Sequence, residues 1–153
     1  MANESPLIHD GAQTVLGFDA RNSTNTGSTL SGPSGSGQFL AVRLSTLADR
    51  TVLLASTATA GVPIYGILQN KGSTGQVADV AIFGICKAVC GATSNVTGGV
   101  QLAVSSTAAG SLLAYSSASG VNPVGYALET PAAVGAVFTV ALYGFGKGTG
   151  LVA

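Results

Sequence analysis

The sequence predicts an all-β protein: a small β-barrel or β-sandwich with an internally duplicated hairpin unit and an extended N-terminal arm. Three observations predict it. Clusters of Gly, Pro, Asn, Ser and Thr punctuate the chain roughly every 8–12 residues, the spacing of short antiparallel strands. The runs between them are rich in β-branched and aromatic residues and too short for good helices. One stretch also occurs twice: Val80-Ala81-Ile82-Phe83-Gly84-Ile85-Cys86-Lys87 returns as Val140-Ala141-Leu142-Tyr143-Gly144-Phe145-Gly146-Lys147, at an offset of 60. Val, Ala, Gly and Lys recur unchanged, and Ile82, Phe83 and Ile85 are replaced by apolar residues. Gly75 maps onto Gly135 at the same offset, and Gly66 onto Gly125 with one residue of slip. Two copies are too few for a solenoid, so they are expected to pair within one sheet system, in equivalent places.

Taken in order, Gln38 to Leu44 alternates as a strand, and Leu47 to Arg50 is a turn. Thr51–Ala55, Pro63–Leu68 and the long Gln76–Val89 follow as strands, then Val100–Val104, Leu112–Tyr115, Val124–Glu129 and Val137–Phe145. The only helix candidate, Ser45 to Ala55, is opposed by Thr51-Val52, because β-branched side chains lose χ1 freedom in a helix. Period-two alternation should place Ile82 with Leu142, and Phe83 with Tyr143, on matching faces.

The chain has 153 residues, the size of one domain. It is 46 % hydrophobic and only 8 % charged, with 22 glycines and a formal net charge of zero. So little charge leaves a free monomer poorly protected against association. The surface is therefore expected to be covered by neighbours, coated with Ser, Thr, Gly and Asn, or both. The six basic residues, Arg21, Arg43, Arg50, Lys71, Lys87 and Lys147, are scattered. Nucleic acid is not an expected partner, since phosphate contacts need clustered Lys and Arg. Neither is a membrane: the longest nearly apolar run, 131–146, is short for a hydrocarbon core of ~30 Å. No secretory signal pattern stands at the start, and synthesis in the cytoplasm is expected.

No constellation of residues points to an enzyme. His9 is the single histidine, and no two of the six carboxylates form an acid–base motif. Gly144-Phe-Gly-Lys-Gly-Thr-Gly150 fails as a phosphate loop, because Ala141 and Gly148 stand where Gly and Ser or Thr are needed. Cys86 and Cys90, four strand residues apart, are about 13 Å from one another, beyond disulfide reach. They read as small buried thiols. No cofactor or metal is expected.

The N-terminal 37 residues stand apart from a β-domain over 38–153. Leu7, Ile8, Val15, Leu16 and Phe18 are five large apolar side chains, separated from that domain by the low-complexity tract Arg21–Gly37. Seventeen tether residues span roughly 20–25 Å. These five residues are the candidate inter-subunit or capsid contacts, docked for example as a strand added to a neighbour's sheet edge. The other reading makes residues 1–20 ordinary strands of the domain and the tract a long loop.

Several segments carry a family resemblance by their order and spacing. They are Thr51-Val-Leu-Leu-Ala, Pro63-Ile-Tyr-Gly-Ile-Leu-Gln-Asn70, Gly75-Gln-Val-Ala-Asp-Val-Ala-Ile-Phe-Gly84, Cys86-Lys-Ala-Val-Cys-Gly-Ala92 and Pro123-Val-Gly-Tyr-Ala-Leu-Glu129, with the closing strand from Val137. From about Thr51 to Tyr143 the chain resembles the capsid cement, or head decoration, proteins of tailed bacteriophages. The middle segment Thr97-Gly-Gly-Val-Gln-Leu-Ala103 departs from that pattern in having no acidic residue after the glycines. The resemblance implies a non-enzymatic virion structural protein on the outer capsid surface, commonly a trimer, whose partners are the major capsid protein and itself. The alternative is a carbohydrate-binding or fibre-base module of a phage tail or bacterial surface. That would need exposed aromatic platforms, whereas Phe83, Tyr143 and Phe145 are expected in the core.

Overall fold

The computed structural model describes residues 14–20, 37–44, 51–55, 64–70, 77–92, 95–105, 108–116 and 123–143, with only the backbone for 14–20. All regular structure in these residues is β. The strands are β1 (Thr14–Ala20), β2 (Ala41–Leu44), β3 (Thr51–Leu54), β4 (Ile64–Leu68), β5 (Val77–Val89), β6 (Gln101–Val104), β7 (Leu112–Ala114), β8 (Gly125–Ala127) and β9 (Val137–Leu142). Every strand expected from Gln38 onward is present in the described residues.

The sheet runs β1-β3-β2-β4-β5-β9-β8-β6-β7, and β1 pairs a second time with β5. That second pairing closes a ring of five strands, β1-β3-β2-β4-β5. The remaining four extend from the other half of β5 and return to its end through a parallel bridge between Cys90 and Leu112. The chain therefore forms two small barrel-like units that share one strand. Residues 77–83 of β5 belong to unit 1, where they pair with β1 and β4. Residues 84–89 belong to unit 2, where they pair with β9.

The duplication seen in the sequence extends over the whole of both units. The pairs Val42–Leu54, Arg43–Leu53 and Leu44–Val52 recur as Leu102–Ala114, Ala103–Leu113 and Val104–Leu112, each displaced by 60. Ile67–Ala81 and Leu68–Val80 recur as Tyr126–Ala141 and Ala127–Val140. β1 itself has a counterpart, at an offset of 70, in the second half of β5. Leu16 faces Val80 as Cys86 faces Val140, and Ala20 meets Val52 in parallel as Cys90 meets Leu112. Loop hydrogen bonds repeat too: Phe39 N donates to Leu68 O and Gly99 N to Ala127 O, both at 2.7 Å. Phe39 and Gly99 share the left-handed backbone, with φ of 65° and 88°. The two repeats seen in sequence thus pair directly, and β5 is the last strand of one unit and the first of the next.

Where β5 passes from one unit to the next stands Gly84 at φ 92°, a conformation open to glycine and strained for other residues. The even-numbered face of β5 lines the unit 1 core through Ala78 and Val80, with Ile82 packed against it, and the unit 2 core through Cys86 and Ala88. Ala81 and Val89 face the other way, and each joins the opposite unit's cluster. The unit 1 core also holds Leu40, Val42, Val52, Leu54 and Leu68; unit 2 places Leu102, Leu112, Ala127, Phe138 and Val140 there. Two substitutions between the units offset each other. Leu68 beside Ala78 in unit 1 becomes Ala127 beside Phe138 in unit 2, large with small and then small with large. These positions are diagonal neighbours on one sheet face, where such an exchange conserves volume.

Residues Thr14–Ala20, expected in the N-terminal arm, form a strand paired to β5 and β3 of their own chain. Leu7 and Ile8 lie outside the described residues.

Candidate interaction face

The two units differ in what covers them. In unit 1 the cross-strand row Ala41–Ile67–Ala81 points away from that unit's core, and all three residues are fully buried. They belong to the hydrophobic cluster centred on unit 2. Ala41 N also donates to Gly110 O at 2.6 Å, and Gly110 N to Ala55 O at 2.8 Å, so the β6–β7 turn is fastened to unit 1. The equivalent row in unit 2 is Gln101–Tyr126–Ala141, continued across β5 by Ile85. Here Tyr126 is 38 % and Ile85 47 % exposed, and Gln101 and Ala141 are half-buried.

Phe83, two residues before Ile85 on the same side of β5, is 49 % exposed. Tyr143 and Leu128 extend the face along β9 and β8, half-buried and exposed respectively. The expected core role of Phe83 is therefore corrected: the odd-numbered side of β5 is covered only where the other unit reaches it, at Ala81 and Val89. Its counterpart Tyr143 is also on an outer face, as the repeat requires. Ile82 and Leu142 both pack inward.

A polar anchor is set into the face. Tyr126 and Tyr143 meet edge to face, with ring centroids 4.8 Å apart and an interplanar angle of 85°. Gln101 Nε2 donates to Tyr143 Oη at 3.1 Å and lies 3.4 Å from Tyr126 Oη. Desolvation first, and the bond with Tyr126 second, push the Tyr143 phenol up to about 12, so that ring is a neutral hydrogen-bonding group at ordinary pH.

At the margin, Lys87 Nζ donates to Thr139 Oγ1 at 2.6 Å and to Glu129 Oε1 at 3.4 Å. The same carboxylate oxygen accepts from Thr139 N at 2.6 Å and from Thr139 Oγ1 at 2.7 Å. The Thr139 hydroxyl, the Thr139 amide and then Lys87 hold the Glu129 carboxyl below its ordinary value. In unit 1 the neutral Asn70 takes the equivalent place, accepting from Asp79 N at 3.1 Å. Among the described residues the outward face is thus apolar and aromatic, with one ion pair, Lys87–Glu129, at its margin. Burying the exposed half of a side chain such as Ile85 or Phe83 would contribute about 1 kcal/mol.

Val15, Leu16 and Phe18 stand on β1, and Val15 pairs with Ala81 as Ile85 pairs with Ala141. The structure therefore places β1 and the outward face in equivalent rows of different units, not together. Gln101, Tyr126 and Ile85 did not stand out in the sequence. Alternation places them on outer faces, but nothing local tells a covered outer face from an open one. Cys86 and Cys90 are buried free thiols, and burial pushes Cys86 up to about 12. Among the described residues no group of three or more His, Cys, Asp and Glu could hold a metal ion. No family model matches the chain, and no curated protein matches it.

Proposed function

We propose that this protein is a capsid cement protein of a tailed bacteriophage. It is made in the host cytoplasm, binds the outside of the assembled shell as a homo-oligomer, a trimer, and bridges adjacent capsomers through the major capsid protein. It works by adding contact area at joints, not by catalysis. The observation that carries this reading is the outward face of unit 2 together with the adjoining Phe83 of unit 1. Phe83, Ile85, Tyr126 and Leu128 are large apolar residues exposed together in a chain with very little charge. Exposed apolar groups of this kind, rimmed by polar residues, mark protein–protein contacts. The order of the strand motifs, resembling that of cement proteins, points to the shell as the larger partner. Several modest contacts made at once give firm attachment, because each raises the effective concentration of the next.

The test is co-sedimentation of the full chain with purified phage shells. Saturable binding to the outer surface is expected, weakened by Phe83→Glu. Binding that does not saturate, or none at all, would overturn the reading.

The carbohydrate-binding alternative has one observation in its favour, the Tyr126–Tyr143–Gln101 cluster, which combines aromatic rings with an amide. Its edge-to-face packing covers part of one ring face, and a flat stacking platform for a sugar needs that face open. Affinity electrophoresis through host surface polysaccharide separates the two readings. Retardation abolished by Tyr126→Ala, without shell binding, would favour the module.

A further inference from the structure

We draw no further inference here: the strongest candidate, the apolar surface patch that Phe83, Ile85 and Leu128 leave exposed beside β5, belongs to the face already described, and nothing in the structure shows what covers it.

Discussion

Gly66 and Gly125 give the sharpest test of the duplicated construction. Each lies where β4 or β8 passes close to the next strand. A Cβ on Gly125 would fall on the carbonyl oxygen of Ala141 and 3.2 Å from Leu142 Cα. A Cβ on Gly66 would fall on the carbonyl oxygen of Ala81 and 2.7 Å from Val80 Cγ1. In both cases the obstacle includes backbone, so relief requires the strands to part. Overpacking of this kind costs about 1–3 kcal/mol. Loss of unfolded-state freedom on replacing glycine by alanine offsets about 0.4–1 kcal/mol of it. The net expectation for Gly66→Ala and Gly125→Ala is a loss of about 1–2 kcal/mol each, or a Tm lower by roughly 2–8 °C for a chain of this size. Gly98→Ala is the control: its Cβ would meet nothing closer than Leu128 O at 3.6 Å, so stability should change little. Thermal and urea unfolding of the three variants measure this. Wild-type stability in Gly66→Ala or Gly125→Ala, or a loss in Gly98→Ala as large as in the other two, would refute the reasoning.

Phe138 is fully buried, and Phe138→Ala should cost about 3–5 kcal/mol in urea unfolding. Adding Ala127→Leu, which copies the Leu68–Ala78 arrangement of unit 1, should recover part of the loss. The Glu129 carboxyl has its folded pKa below the ordinary 4.5, so its stabilising contribution is complete above that pH and is lost as pH falls through the lowered value. Glu129→Gln should therefore remove that contribution, lowering stability slightly near pH 7 and leaving it little changed near pH 3, so that the acid limb flattens, as seen by urea unfolding between pH 3 and 7. The Cys86 thiol, buried and pushed up to about 12, should resist a thiol reagent at mildly alkaline pH until the protein is unfolded.

The strands were legible because β-branched runs and glycine-rich turns are local signals. The duplication was legible only where both copies kept their residues, around Val80 and Val140. It was hidden elsewhere because Ala41 and Gln101, or Ile67 and Tyr126, hold equivalent places with unlike side chains. That unlikeness arises from environment: one row is packed within the chain and the other is open. The role of Thr14–Ala20 was ambiguous for a different reason. The strand completes unit 1 through pairing with β5 and β3, contacts separated by tens of residues, and no local pattern reports such pairing. The double use of β5 was hidden likewise, since a run of alternating residues does not reveal that its two halves line different cores. Gly84 was visible as part of the repeat, but its positive φ is a property of the backbone that no residue pattern states.

The most direct test of the cement reading is the thermal rupture of emptied phage shells, followed by calorimetry with and without the bound protein. Stabilisation by bridging predicts a higher rupture temperature that rises with occupancy and falls back with Phe83→Glu. Saturated binding that leaves the rupture temperature unchanged would contradict it.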